Sequence, residues 1–176
     1  AVYILQLDYV AALKYLRQSG KLYLALKDSA MLAEVLNDEA LIERRLGNLQ
    51  TAKSYHREAL TNYTGIMSGN IWCRHLFHLG SCFDEKDVDS SLHYYFKAEE
   101  KAKEEEDSVL LYLIYINIGT ALNQQKNYKE GIKFLSKSLA LNDNYGDSSN
   151  LSIIYQNLAE VYESLGQFEK AYRYST

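Results

Sequence analysis

The sequence predicts an all-α protein, a solenoid built from antiparallel helix pairs. Three observations lead to this prediction. The 176 residues include no proline and only nine glycines, so few positions interrupt a helix. Apolar residues recur at a spacing of three and four, without the alternation that is typical of strands. The same pattern returns about every 40 residues, which is characteristic of stacked helical hairpins.

The repeat is seen in two registers of the chain. A polar residue recurs at Asp8, Asn48, Asp87, Asn127 and Gln167. Seven residues after each of these stands an aromatic residue: Tyr15, Tyr55, Tyr94, Phe134 and Tyr174. Aromatic residues make up 12% of the chain, so five matches in five by chance have a probability of roughly 2 × 10⁻⁵. The repeat is therefore real.

Each repeat is predicted to hold two helices with polar N-caps. We expect caps before the second helices at Asp8, Asn48, Asp87 and Asn127, and before the first helices at Asp28, Ser68, Asp107 and Asp147. The predicted helices are Tyr9–Lys27, Ala30–Leu46, Leu49–Tyr63, Ile71–Glu85, Val88–Glu105, Val109–Lys126, Tyr128–Asn142, Leu151–Leu165 and Phe168–Ser175. The predicted core includes Tyr15, Ala52, Tyr55, Gly80, Tyr94, Gly119, Phe134, Ala159 and Tyr162.

Two segments carry a resemblance to a known family. INIGTALNQQKNYKEGIKFLSKSLAL (Ile116–Leu141) and YQNLAEVYESLGQFEKAYRYS (Tyr155–Ser175) resemble the tetratricopeptide repeat, with armadillo and HEAT arrays as structural rivals. The resemblance implies a right-handed superhelical solenoid. The family's usual repeat has 34 residues, whereas this one is longer and lacks proline. Such long repeats resemble those of bacterial regulatory proteins, including peptide-sensing quorum regulators. Glu43 departs from the pattern, since Tyr162 holds its position in the last hairpin.

The repeat boundaries predict a single array over residues 1–176. It comprises a partial hairpin at 1–28, hairpins at 29–67, 68–106 and 107–146, and a truncated hairpin at 147–176. Because the first and last hairpins are incomplete, we expect a longer natural protein. We also expect apolar surface at both ends, through which copies can self-associate.

The composition argues against several classes of partner. The net charge is −4 with both signs interspersed, unlike the basic surfaces that bind nucleic acid. No apolar stretch reaches the eighteen or so residues of a membrane span. Cys73 and Cys82 are predicted to lie on one helix, about 13 Å apart along its axis, too far to pair. Two unpaired cysteines slightly favour a reducing compartment such as the cytoplasm.

No catalytic or cofactor-binding motif is present in the sequence. It contains no glycine-rich phosphate loop, no nucleophile elbow and no H-E-x-x-H motif. We therefore expect no enzymatic activity and no cofactor. His75, His78 and Cys82 share one helical stripe and are chemically suited to bind metal, but they lack a fourth ligand. Packing or surface roles are the commoner reading, so no metal site is predicted.

The resemblance implies that the first helix of each hairpin lines a concave, polypeptide-binding wall. A side-chain amide on this wall can donate to a peptide C=O and accept from an N–H. The predicted ligand-facing residues are Asn117, Asn157, Asn123, His78, Phe77, Arg44, Arg45, Gln124 and Gln156.

Two alternatives remain open. Asparagines can occupy this wall whatever the protein binds, and Arg44 and Arg45 can instead pair with Asp84 and Glu85. The predicted function is a scaffold for another protein or peptide. The alternative is the peptide-sensing arm of a larger bacterial signalling protein or transcription regulator.

Overall fold

The computed structural model describes residues 2–83, 87–145 and 148–175, and the side chains of residues 8–83, 87–141 and 150–175. These residues form nine α-helices and no strand, as the all-α prediction requires. The helices are α1 (Val2–Leu26), α2 (Ser29–Arg45), α3 (Leu49–Asn62), α4 (Gly69–Gly80), α5 (Val88–Glu104), α6 (Ser108–Gln124), α7 (Tyr128–Tyr145), α8 (Ser148–Ser164) and α9 (Phe168–Ser175). Within this part of the chain no helix is long and apolar enough to cross a bilayer.

The chain divides into two compact units, residues 1–84 and 85–176. In the first unit each helix packs against the next one in the sequence, and α2 also lies beside α4. In the second unit the helices again pack in sequence order, and α6 lies beside α8. The first helices of neighbouring hairpins are therefore in contact, α2 with α4 and α6 with α8.

The turns explain where most helices begin. A residue with positive φ stands before the next helix at Lys27, Gly47, Glu106, Lys126 and Gly166. The residue after it occupies the N-cap position or directly precedes the helix. Four predicted caps are confirmed by a side-chain hydrogen bond to a backbone N–H, at Asp28, Ser68, Asp87 and Asp107. Asp147 lies outside the described residues.

Two predicted caps before second helices are wrong. Asn48 makes no capping bond, because its Nδ2 instead donates to Glu43 Oε2 at 2.8 Å. Asp8 lies inside α1, which is continuous from Val2. The segment before Asp8 is apolar and has no glycine, so it favours helix over a turn.

Several predicted core residues are less buried than expected. Tyr15 is 66% exposed, so its assignment to the core is wrong. In its own hairpin Phe134 packs on Tyr115 of the preceding helix, whereas no described helix precedes α1. Tyr55, Tyr94 and Tyr162 are half-buried. The other predicted core residues are confirmed as buried: Ala52, Gly80, Gly119, Phe134 and Ala159.

The fourth helix ends earlier than predicted. It stops at Gly80 rather than continuing to Glu85, which lies outside the described residues. Cys82 therefore follows the helix instead of sharing it with Cys73. Both cysteines are buried, and neither forms a disulfide.

The hairpin of α6 and α7 crosses at two glycines. A Cβ added to Gly119 would lie 2.7 Å from Leu135 Cγ and 3.2 Å from the Gly131 carbonyl oxygen. Leu135 is completely buried, so it has little room to move. The corresponding positions hold Ala40 and Ala52, Gly80 and Ser91, and Ala159 and Ala171 in the other repeats, with Ala40 and Ala52 fully buried in one cluster. Small residues therefore set the closest approach of paired helices.

Glu43 departs from the repeat pattern, and its burial is compensated by polar partners. Glu43 is 6% exposed and accepts the hydrogen bond from Asn48. The guanidinium of Arg17 lies 3.6 Å from Glu43 Oε1 and 3.8 Å from Glu39 Oε1. Burial raises the pKa of Glu39. Two carboxyl groups and an arginine thus stand where the last hairpin uses a tyrosine.

A histidine bridge joins three helices of the first unit. His75 Nε2 lies 3.0 Å from the Ala33 carbonyl oxygen, and His75 Nδ1 lies 3.0 Å from His56 Nδ1. Because a carbonyl only accepts, His75 Nε2 must carry the proton, and the neutral His75 Nδ1 then accepts from His56. His78 stacks on His56 with ring centroids 5.9 Å apart. The two hydrogen bonds therefore require an uncharged imidazole at His75.

Burial sets the charge state of these imidazoles. It lowers the pKa of His56 to about 2, of His78 to about 3 and of His75 to about 4. The neighbouring cations Arg44 and Arg74 act in the same direction. All three rings are neutral in the folded protein at neutral pH.

We expect Gly119→Ala to destabilise the protein by about 1–3 kcal/mol, because its methyl group would overpack the crossing against Leu135. The matched control is Gly20→Ala in α1. Its Cβ would make only an ordinary contact with Val35 Cγ1 at 3.4 Å, and alanine favours helix by roughly 0.5–1 kcal/mol. Urea unfolding followed by circular dichroism measures both changes. Equal effects of the two substitutions would contradict the glycine crossing.

The histidine bridge predicts acid sensitivity. An unfolded histidine binds a proton below about pH 6.5, whereas the buried ones do not, so the free energy of unfolding should fall as pH drops from 7 to 5.5. Each histidine contributes up to about 1.4 kcal/mol per pH unit. The slope should shrink by about one third in His78→Phe, because one of the three buried imidazoles is then lost. Glu39 acts in the opposite direction. A stability that is flat or rises towards pH 5.5 would rule the bridge out.

Candidate functional site

A polar pocket of about 240 Å³ lies between α6 and α8 in the second unit. These are first helices of neighbouring hairpins, on which ligand-facing residues were predicted. Three of those predicted residues meet here: Asn123, Gln124 and Asn157. The rest of the lining is Thr120, Tyr128, Glu160, Val161 and Ser164.

Asn123 is the only lining residue of this pocket with both side-chain polar atoms buried and unpaired. Neither Oδ1 nor Nδ2 has a hydrogen-bond partner among the described residues. The side chain fits over Gly131, where an added Cβ would lie only 1.9 Å from Oδ1. An unpaired buried amide costs on the order of 1–3 kcal/mol for each group. A ligand that supplies a donor and an acceptor would remove this cost.

The other two asparagines are partly engaged within the protein. Asn157 Nδ2 donates to the Ile153 carbonyl of its own helix at 2.9 Å, which leaves Oδ1 without a hydrogen bond among the described residues. Asn117 Nδ2 donates to the Leu113 carbonyl at 2.8 Å, and its Oδ1 accepts from the Tyr95 hydroxyl at 3.4 Å. Asn117 therefore links α5 to α6, and its amide is not free to clamp a peptide.

A second pocket of about 530 Å³ lies between α8 and α9. The predicted residue Gln156 lines it, and Gln156 Nε2 donates to Glu160 Oε1 at 3.0 Å. Glu160 borders both pockets, so the two are neighbours along α8. The remaining lining is Leu151, Ser152, Tyr155, Ala159, Glu163, Tyr174 and Ser175.

The predicted residues of the first unit have other environments. Phe77 is only 7% exposed and packs beside His78, so the expectation that it faces a ligand is wrong. His78 is half-buried in the histidine bridge. Arg45 lies within 3.4 Å of the Tyr9 hydroxyl. Arg44 Nε is buried without a partner in the described part of the chain. The predicted pairing of Arg44 and Arg45 with Asp84 and Glu85 involves two acidic residues that lie outside the described part of the chain.

Two tyrosines of the larger pocket were missed by the sequence analysis. Tyr155 begins a segment that resembles the repeat family, and Tyr174 stands at the repeated aromatic position. Tyr155 is 37% exposed and Tyr174 is half-buried. Their ring centroids lie 5.7 Å apart. The periodic pattern marks them only as apolar, and nothing in it distinguishes a pocket wall from a core.

The described residues offer no metal site. They contain no group of three or more His, Cys, Asp or Glu side chains that could hold a metal ion. His75 and His78 are instead held in the histidine bridge, and burial raises the pKa of Cys82.

Comparison with known families supports the resemblance. Residues 110–174 match the model of the tetratricopeptide repeat family, which covers α6 to α9 almost completely. This segment includes both pockets except for Ser175. No curated protein matches the sequence.

Solved structures share the fold over nearly the whole chain. BtubC (BKLC) from P. vanneervenii is 17% identical, with a TM-score of 0.76 over 95% of this chain and 68% of its own. The apo form of RapI is 17% identical, with a TM-score of 0.80 over 96% of this chain and 47% of its own. Aspartyl phosphate phosphatase F from Bacillus subtilis is 17% identical, with a TM-score of 0.77 over 98% and 55%. The chain thus spans about half the length of the last two.

Proposed function

We propose that this chain, a helical array that contains tetratricopeptide repeats, binds an extended segment of another protein along the exposed face of α6 and α8. The repeat family and the shared fold support a protein-interaction scaffold in general. The finer assignment of the binding surface is our own. It places Asn123, Asn157, Gln124 and Gln156 against the bound segment.

The unpaired amide of Asn123 carries this proposal. An extended peptide backbone offers one C=O and one N–H per residue, which is the pair of groups that a side-chain amide lacks here. Asn157 Oδ1 lies in the lining of the same pocket and can accept a second backbone N–H. Each such hydrogen bond contributes about 0.5–1.5 kcal/mol net. The amide atoms of Asn123 are buried in the unbound chain, so a peptide that spans the pocket satisfies them once the side chain turns from the helix crossing towards the pocket.

A second candidate function is the sensing arm of a bacterial regulator. The likeness to RapI and to aspartyl phosphate phosphatase F favours it, and their greater length leaves room for other modules in those proteins. The name of the latter denotes a phosphatase, which is a property of that protein. For this chain the absence of enzymatic activity stays a prediction. The reading frame of the gene tests the sensing arm: a helix-turn-helix or kinase module in the same frame would support it.

We expect Asn123→Ala combined with Asn157→Ala to weaken peptide binding about 5- to 100-fold, because two backbone contacts are lost. The probe is a phage-displayed library of random dodecapeptides that is selected on the wild-type protein. The recovered peptides are then synthesised and titrated into both proteins by calorimetry.

The matched control is Gln50→Ala combined with Asn62→Ala. It removes two exposed amides from α3, which has no part in either pocket. The control should bind like the wild type. If the selection recovers no peptide, or if the recovered peptides bind both variants equally, the α6–α8 surface is not the binding site.

A further inference from the structure

We infer that the bound segment carries a basic side chain, arginine or lysine, whose cation lies against Glu160 in the pocket between α8 and α9. This inference rests on the proposed function and adds the chemical class of the partner. The opposite class, an acidic segment, is an outcome of the test.

The charge of the two pockets is the first argument. Glu160 borders both of them and Glu163 borders the larger one, while neither lining includes a lysine or an arginine. No ion pair among the described residues involves either glutamate. The hydrogen bond shown for the Glu160 carboxylate within the described part of the chain comes from the neutral amide of Gln156. Two carboxylates without cations thus give this surface a negative potential, which favours a basic segment and repels an acidic one.

The aromatic lining is the second and independent argument. Tyr155 and Tyr174 form one wall of the larger pocket, and Tyr162 stacks on Tyr174 with centroids 5.8 Å apart and planes at 5°. The face of a tyrosine ring attracts a cation, and arginine also stacks on it. Lys170 Nζ already lies 5.2 Å from the centroid of Tyr162. The same cluster therefore holds one cation of the chain and presents further rings to a second.

The geometry of the two pockets joins this inference to the peptide surface. Glu160 borders both the pocket that is lined by Asn123 and the larger pocket that is lined by Tyr155 and Tyr174. A segment whose backbone bonds to Asn123 can therefore place a neighbouring side chain beside Glu160. A long basic side chain reaches the tyrosines with its apolar stem along Leu151 and Ala159, which also line the pocket.

The test uses four phage-displayed dodecapeptide libraries. One central position is fixed as Arg, Lys, Ala or Glu, and the other positions are randomised among uncharged residues. We expect the Arg and Lys libraries to be recovered about tenfold more than the Ala library, and the Glu library least. The preference should weaken in high salt, since the carboxylates are exposed.

Two variants assign the preference to this pocket. Glu160→Gln combined with Glu163→Gln should abolish it while the recovery of uncharged peptides persists. The control is Glu130→Gln combined with Glu169→Gln, which removes the same charge from exposed i,i+3 and i,i+4 pairs of α7 and α9. The control should retain the preference. Thermal unfolding confirms that all variants fold.

The outcomes separate the two proposals. If peptides bind without a basic preference, or if the pocket variant keeps that preference, the inference fails while the peptide surface stands. A preference for the Glu library also overturns the inference. If none of the four libraries is recovered above background, the proposed function fails and the inference fails with it.

Discussion

The close crossing of paired helices at small residues is the constraint on which the structure depends. At Gly119 and Gly131 the two backbones approach so closely that an added Cβ would meet Leu135 Cγ at 2.7 Å or the Gly119 carbonyl at 3.1 Å. Large side chains must then flank the crossing, and Leu135 joins Tyr112, Ile116, Ile154 and Leu158 in one buried cluster. The cluster takes residues from α6, α7 and α8, so a hairpin completes its core with the helix that follows.

Because one face of each first helix packs in the apolar core, polar groups occupy its other face. Many of these groups are satisfied within their own turn: Thr120 Oγ1 and Ser164 Oγ donate to the carbonyl four residues earlier, as Asn117 and Asn157 do with their amides. Such local hydrogen bonds satisfy polar side chains within the helix at little energetic cost. Asn123 differs, because its amide is buried over a glycine instead of turning back to its helix. In α2, Asn37 Oδ1 and Arg44 Nε are also buried without a partner among the described residues.

The sequence predicts the parts of this structure that follow from local chemistry and from the period. Helix bounds agree with the prediction within three residues except at the start of α1 and at the end of α4, because caps such as Asp28 and Asp107 and turn glycines such as Gly47 act locally. What the period cannot show is which repeated position is covered by a neighbour. Tyr15 and Phe134 hold the same register, yet the first is 66% exposed and the second 7%. The same limit applies to the site: Asn117 and Asn157 are equivalent in sequence, and only the contact with Tyr95 makes Asn117 a structural link.

The period also explains why one surface position carries such different chemistry along the chain. Arg44, Asn123 and Glu163 stand in the same register, eight residues before Ala52, Gly131 and Ala171 respectively. Only where the opposing residue lacks a Cβ can a short amide lie buried across the crossing, since a Cβ at Gly131 would fall 1.9 Å from Asn123 Oδ1. Where alanine replaces this glycine, at Ala52 and Ala171, the register holds the long charged side chains Arg44 and Glu163, and Glu163 lines the larger pocket. The absence of a Cβ at Gly131 thus permits the buried amide of Asn123, and so couples helix packing to the polar groups that line this pocket.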